Sequence, residues 1–432
     1  MNRRERRNLR KEVNIFSDVI SILKQYFPEL TSMFERLTDV RNQSYVKYSM
    51  SVIFVTRLLG LLCGKTSMRN LTESMNTDIC IKNISKILEI ELEEIPHYDT
   101  INDVFEQVEV EELRDIQKYM INRIIRSKMF EKYRCMNRYY QVVIDGTHLV
   151  TFKEKHCKNC LKRVHNRGNE DEYTQYYHYV LEAKLVVGEI VISLDTEFVE
   201  NEKEDVSKQD CEIKAFYRMV KRIKRNYPKM RIIITGDALY GKYKIMEKCQ
   251  ANGWEYIIRL KENLPSLVEE IRGLEKSENT EEEIKYWNQL EYGLAGMEKR
   301  ANVIKYNKKE GNKTTEFMWI TSITITESNK KELVYFGRQR WRIENEGFNV
   351  QKTKTFNIEH MYSKNYNAMK VHYFLIQFAH TLRQLLEKGI KYVMETKMSI
   401  KEVSDTITQT LTKINLTALR KIQLRFNLKL II

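Results

Sequence analysis

The stretch "MRIIITGDALYG", Met230–Gly241, decides how the chain is read. Ile232, Ile233 and Ile234 form a short apolar, β-branched run, the pattern of a buried strand. The run ends in an acid, Asp237. Working outward, "YYQVVIDG" (Tyr139–Gly146) has the same shape: Val142, Val143 and Ile144, then Asp145. Between them, "YYHYVLEAKLVVGEIVISLDTEFV" (Tyr176–Val199) reads as two strands joined in a hairpin at Gly188 and Glu189. "DCEIKAFYRMVKRIKRNY" (Asp210–Tyr227) reads as an amphipathic helix and "GWEYIIRLKEN" (Gly253–Asn263) as a further strand. The order is strand, hairpin, helix, strand, helix, strand. It predicts an α/β fold, a mixed sheet with helices on its faces.

On either side the rhythm changes. Residues 1–135 read as helical and as a DNA-binding domain: "FSDVISILKQYF" and "VIFVTRLLGLLCG" carry apolar residues at helical spacing. In "PHYDTINDVFEQV", Asp99 or Thr100 is placed to cap a helix. Arg3, Arg4, Arg6, Arg7, Arg10 and Lys11 are candidates for phosphate contacts, against the blander reading of a solvated basic tail. Residues 136–261 form the first part of the sheet core. Residues 262–333, with "RANVIKYN" and "EFMWITSITI", read as a β-rich insertion. Residues 334–390 return to the core and end in "VHYFLIQFAHTLRQLLEKG", with Gly389 placed to cap its helix. Residues 391–432 read as a helical tail.

With 432 residues, two or three domains are expected. Four prolines and 15 glycines argue against long disordered linkers. The 73 Lys and Arg exceed the 59 Asp and Glu, a net charge of +14 that suits a polyanionic partner such as nucleic acid. No apolar run reaches the roughly 18 residues of a membrane span, and no signal-peptide core follows the basic start. A cytoplasmic location with free thiols is the expectation for the seven cysteines.

Asp145 and Asp237 carry the chemical argument. Strands of one sheet deliver their ends to a common rim, so two strand-end acids can meet there. Like charges so close repel unless a cation lies between them. Hard cations such as Mg²⁺ take carboxylate oxygens, and a pair of them can activate an attacking oxygen and stabilise a leaving one in phosphoryl transfer. A third acid is available in "RWRIENEGFNVQK" (Arg340–Lys352), where Arg340 and Glu344 are four apart and share a helical face. Glu346 falls on another face. Trp341 is a candidate for stacking on a base.

These three stretches resemble a DDE transposase of bacterial insertion sequences, in the group whose last acid sits in a Tyr-x2-Arg-x3-Glu-x6-Lys signature. "VIDGTHL" is similar to the first-Asp strand, "ITGDALYG" to the second-Asp strand and "RQRWRIENEGFNVQK" to the Glu helix. The resemblance covers about residues 97–385. It implies an RNase H-like core, with a β-rich insertion between the second Asp and the Glu. It implies Asp145, Asp237 and Glu344 as catalytic, metal-binding acids using Mg²⁺, with Mn²⁺ as a substitute. It implies terminal inverted repeats and target DNA as partners, self-association in a synaptic complex, and action on DNA in a bacterial cytoplasm. Arg340 matches the signature arginine and is read as orienting Glu344 or contacting a DNA phosphate. Two positions depart: Gly337 stands where the signature has Tyr, and Gln351 where it has Lys, with Lys352 next in line as a DNA contact.

Other candidates stand beside these. Arg259 and Lys261 alternate on a strand near the proposed rim and are read as DNA contacts. "HCKNCLKRVH" holds His156, Cys157, Cys160 and His165. Cys-x2-Cys is zinc-like spacing, and a structural Zn²⁺ site can be drawn from these residues or can recruit Cys211. His148 and Tyr240 each lie three residues beyond an acid and are as readily structural as functional. The competing functions are an RNase H-like nuclease without strand transfer and an inactive, transposon-derived DNA-binding protein.

Overall fold

A computed structural model describes residues 2–12, 14–203, 206–278, 282–292, 299–311, 313–416 and 419–428. Its first part is helical: α1 (Arg3–Glu12), α2 (Ile15–Tyr26), α3 (Leu30–Glu35), α4 (Met50–Leu62), α5 (Met68–Met75), α6 (Asp78–Leu88), α7 (Tyr98–Gln107) and α8 (Val110–Arg126). Capping fixes many of the starts. The Asn14 side chain accepts from Ser17 N at α2, and Thr77 from Cys80 N at α6. At α7 the cap is His97, not Asp99 or Thr100, because the helix already begins at Tyr98.

The sheet follows. β1 (Tyr140–Phe152), β2 (Leu161–His165), β3 (Tyr173–Val187) and β4 (Ile190–Val199) are antiparallel neighbours, β3 lying between β1 on one side and β2 and β4 on the other. The β3–β4 hairpin turns at Gly188, whose φ of 58° lies in the left-handed region that glycine enters without strain. Helix α9 (Glu212–Asn226) leads to β5 (Ile232–Gly236), and α10 (Tyr243–Ala251) to β6 (Glu255–Leu260). Both of these strands run parallel to β1 in the order β1-β5-β6. This is the mixed sheet expected of an RNase H-like core.

After α11 (Pro265–Glu278), the strands β7 (Ile284–Tyr292), β8 (Lys299–Glu310) and β9 (Lys313–Thr321) do not form a separate layer. β9 pairs antiparallel with β6, so the β-rich segment prolongs the same sheet outward as β6-β9-β8-β7. Helix α12 (Lys330–Arg338) and a wide-turned helix across 341–355 then return to the sheet face. The chain closes with α13 (Tyr366–Gly389), α14 (Lys391–Thr396) and α15 (Ile400–Lys413).

Helix α13 is the centre of the molecule. It packs on α2, α4, α7 and α8 from the first part and on β4 from the sheet. One apolar cluster therefore runs from Ile15 to Phe426. Phe34 of α3 stacks on Phe54 of α4 at 5.2 Å and meets Phe378 of α13 at 6.4 Å. The last described segment straps α2: Gln25 Nε2 donates to Ile422 O at 2.6 Å, and Ile422 N donates back to Gln25 Oε1 at 2.9 Å. Gly389 is not a left-handed cap. A Cβ there would lie 2.9 Å from Leu424 and 3.0 Å from Phe426, so the strap is what requires a glycine.

A shared core has a thermodynamic signature. Phe34→Ala is expected to cost about 3–5 kcal/mol. It should lower the unfolding of the whole chain in one transition, followed by circular dichroism and tryptophan fluorescence together. Separate transitions, with the sheet half unmoved, would contradict the shared core.

Candidate active site

Strand register builds the site. Val143 of β1 pairs with Thr235 of β5, and the strands are parallel. Two residues further on, Asp145 and Asp237 occupy equivalent places on adjacent strands, which are about 4.8 Å apart in any sheet. Asp237 follows the end of β5, but Asp145 is not the strand end expected from the sequence, because β1 continues past it to Phe152 along β3. Each acid is fixed by the backbone: Gly146 N donates to Asp145 Oδ1 at 3.0 Å, and Leu239 N to Asp237 Oδ1 at 2.8 Å. Burial pushes the Asp145 carboxyl up to about 6; Arg340 and the Gly146 N–H pull it down, while Asp237 and Glu212 push it further up.

Glu212 was not visible as a site residue in the sequence. It opens α9, and α9 is locked onto β4 by Arg222, which reaches Glu197 at 2.7 Å as well as Asp195. Two tyrosines hold the Glu212 carboxylate. The Tyr179 hydroxyl donates to Oε2 at 3.0 Å, and the Tyr240 hydroxyl donates to Oε1. Burial raises the Glu212 carboxyl, the two hydroxyls lower it, and the Asp237 charge raises it again. Both rings need a glycine beneath them. A Cβ on Gly146 would lie 2.2 Å from the Tyr179 hydroxyl, and one on Gly236 2.8 Å from the Tyr240 ring. Tyr240 is thus a fully buried positioning group. The ring of His148 sits against Tyr177 and Tyr179, and burial lowers its imidazole below the usual value.

The third segment lies on the same face. Val143 and Asp145 are two apart on β1 and point the same way. Val143 packs with Val186 and Val191 against Ile343 and Phe348. That brings the start of the 341–355 helix over the rim, and Arg340 Nη1 donates to Asp145 Oδ2 at 2.9 Å. Glu344 is half-buried one turn further along. Among the described residues, the carboxylates of Asp145, Asp237 and Glu344 do not all lie within 4.8 Å of one another. Arg340 provides the countercharge at Asp145 instead. Glu346 is engaged elsewhere, accepting from Arg342 at 2.7 Å.

The two departures from the signature have physical causes. Gly337 lies flat on the buried indole of Trp319, where a Cβ would approach Cε2 to 2.7 Å. The space of a tyrosine is already filled. Gln351 points inward, fully buried, and donates to Gln377 Oε1 at 3.0 Å with His380 Nδ1 at 3.1 Å. Lys352 is half-buried and pairs with Glu359 at 3.1 Å.

The remaining candidates divide. Arg259 lies near Arg340, whose charge, after burial, helps lower the Arg259 guanidinium; its side chain stacks over Phe317 and Trp319. Trp341 is 40% exposed, with Arg342 against its face. Lys261 is exposed at the end of β6. Arg10 is spent on the protein, donating to Glu402 and to the carbonyls of Thr396 and Lys397. Cys157 and Cys160 come together with His156 and with His178 of β3. His165 lies outside that group, stacked on Tyr173 and bonded to Gln175, and Cys211 lies outside it at the start of α9.

Restoring the signature tyrosine should harm this chain. Gly337→Tyr is expected to lose at least about 1–3 kcal/mol in denaturant unfolding through overpacking. In a Trp319→Ala background, itself destabilised, the same Gly337→Tyr change should cost less. A neutral Gly337→Tyr variant would show that the Trp319 contact does not set the residue at 337.

The family described as transposase DDE domain, group 1, matches residues 28–428. No curated protein matches the chain. Among solved structures the chain is similar to a piggyBac transposase synaptic complex with hairpin DNA, solved by cryo-electron microscopy. The identity is 10%, the TM-score 0.46, and the match covers 93% of this chain and 80% of the other. The family match spans nearly the whole sequence: this chain belongs to the DDE transposases of group 1, and its function is that of a DNA transposase.

Proposed function

We propose that Asp145, Asp237 and Glu344 form the catalytic set and hold two Mg²⁺ ions, with Mn²⁺ as a substitute. The observation that carries this reading is the register that sets Asp145 beside Asp237, with the Glu344 helix docked over them through Arg340. The donor set fits a hard divalent cation: carboxylate oxygens, one of them in a carboxyl pushed up to about 6 by burial and neighbouring charge. When bound, such ions polarise phosphate oxygens and favour an oxygen nucleophile at neutral pH.

The chain's own residues prepare that site. The backbone donors at Gly146 and Leu239 fix one oxygen of each aspartate, and Arg340 holds the second oxygen of Asp145, the place a cation would take. Glu212 adds negative charge behind them while its own oxygens are held by tyrosines. Arg340 neutralises Asp145 in this state. With Asp145 held by a metal, Arg340 would be available to a DNA phosphate, and Arg259, Lys261, Trp341 and Lys352 would extend that contact. The reaction is cleavage at the ends of the element to give a 3′-OH, followed by attack of that 3′-OH on target DNA. The partners are terminal inverted repeats and target DNA, bound by self-associated chains. The segments 1–135, 136–261, 262–333, 334–390 and 391–432 divide this work among end recognition, core, sheet extension, Glu helix and strap.

The test uses the full chain, labelled candidate element ends and Mg²⁺, with nicks and joined products scored separately. Asp145→Asn, Asp237→Asn and Glu344→Gln should each reduce cleavage by at least about a hundredfold, several kcal/mol of barrier, while DNA binding persists. Glu346→Gln should cleave normally, and full cleavage by any of the first three would remove the assignment. Nicks without joined ends would mark a nuclease, and binding without nicks a silent DNA-binding protein. Glu212→Gln should raise the Mg²⁺ concentration for half-maximal cleavage on the order of tenfold, because one nearby negative charge is lost.

A further inference from the structure

His156, Cys157, Cys160 and His178 form a cluster apart from the acidic rim. One ligand atom from each lies within 4.8 Å of every other. Cys157 Sγ and Cys160 Sγ are 3.7 Å apart, and His178 Nε2 is 3.6 Å from the first and 3.8 Å from the second. The sulfurs are too far apart for a disulfide, whose bond is about 2.05 Å. They are at the spacing a tetrahedral ion imposes. With zinc–sulfur bonds of about 2.3 Å and zinc–nitrogen bonds of about 2.0–2.1 Å, tetrahedral angles give about 3.8 Å between sulfurs and about 3.6 Å between sulfur and nitrogen.

The surroundings point to an ion as well. His178 is fully buried and stacked on Tyr366 at the start of α13. Its Nε2 faces two sulfurs at once, which one N–H cannot serve well, and an unsatisfied buried imidazole is costly. His156 is stacked on Phe152 at 4.4 Å and also has a buried Nδ1 without a partner. The turn carrying the thiols is itself braced: Asn201 Nδ2 donates to Cys160 O at 2.9 Å, and Asn159 Nδ2 to Asn201 O at 2.8 Å. Two soft thiolates and two imidazoles in a closed, partly buried set select zinc over magnesium.

We infer that His156, Cys157, Cys160 and His178 bind one structural zinc ion. The ion takes two thiolates and two neutral imidazoles, the two thiol protons pass to solvent, and the four-coordinate centre carries no net charge. It clasps the link between β1 and β2 to β3 and, through the His178–Tyr366 stack, to α13. The strand that carries Asp145 is then anchored beyond the rim as well as at it. This reading does not depend on the catalytic assignment.

The full-length chain, purified without chelator, should contain one zinc per chain by elemental analysis. Replacing zinc with Co²⁺ should give the intense visible bands of a tetrahedral thiolate–imidazole centre. Cys157→Ser and Cys160→Ser should lose the zinc, whereas His165→Ala and Cys211→Ser should keep it in full. If a cysteine variant fails to fold, the cobalt spectrum of the unaltered chain decides. Metal-free protein with free thiols or a Cys157–Cys160 disulfide, an octahedral cobalt spectrum, or zinc lost from the His165 or Cys211 variant would each overturn the inference.

Discussion

Two acids on neighbouring parallel strands are the constraint around which this half of the molecule is arranged. The β1–β5 register leaves Asp145 and Asp237 no choice but to be close. At about 5 Å and an effective dielectric of 20, two full negative charges repel by about 3 kcal/mol. Much of the local structure answers that repulsion. Backbone N–H groups meet each carboxylate, and Arg340 crosses from a segment 195 residues away to Asp145; burial first, and the Asp237 charge after it, push the Asp145 carboxyl toward its protonated form. Glu212 makes the problem worse by adding a third charge, and two tyrosine hydroxyls are committed to holding it. A site that concentrates negative charge at such cost is suited to a cation.

The two acids were legible because each follows a β-branched run, and such runs are local patterns; that β1 continues beyond Asp145 was not. The hairpin at Gly188, α9 and the strands β6, β8 and β9 were legible for the same reason. Glu212 was not, because one acid at the first turn of an amphipathic helix looks like any helix-start carboxylate. What distinguishes it is two tyrosines, one on β3 and one in the turn after β5, each lying over a glycine. His178 was equally hidden. It sits in the aromatic run "YYHY", far in sequence from the Cys-x2-Cys turn, and only the β1–β3 and β2–β3 pairing brings it back. The spacing favoured His165 because that residue is nearer in the chain. The β-rich segment was visible as strands, but nothing local in "EFMWITSITI" announced that it would pair with β6 and extend the core sheet.

The helix across 341–355 shows a subtler loss of information. Read as an α-helix, Ile343 and Phe348 are five residues and roughly 140° apart, so they cannot share a face. In the structure both are buried against Val143, Val186 and Val191. The wider winding over 343–348 and 350–355, with Asn349 N bonded to Glu344 O, is what aligns them. An apolar pair at a spacing of five, with Gly347 between, was the available signal. The same winding separates Gln351 and Lys352, one turned into the core and the other toward Glu359.

Apolar packing alone would not hold that helix at one position, because Val and Ile surfaces tolerate sliding. Polar bonds do. At one end, Arg340 is tied to Asp145. At the other, Gln351 bonds Gln377 and His380, and Gln377 also accepts from the buried Lys184 Nζ at 2.9 Å. Lys184 belongs to β3 and Gln377 to α13, so the Glu helix, the sheet and the central helix meet in one buried network. Lys184 is charge-matched by Glu182, whose oxygens are further satisfied by Ser193 and Thr196. Such a network contributes little net stability compared with an apolar replacement, but sliding the helix by one residue would leave several buried polar groups unpaired. A lysine at 351 would place a second buried cation beside Lys184 with no acid to match it. Glutamine there is therefore the consequence of where this chain already keeps its lysine.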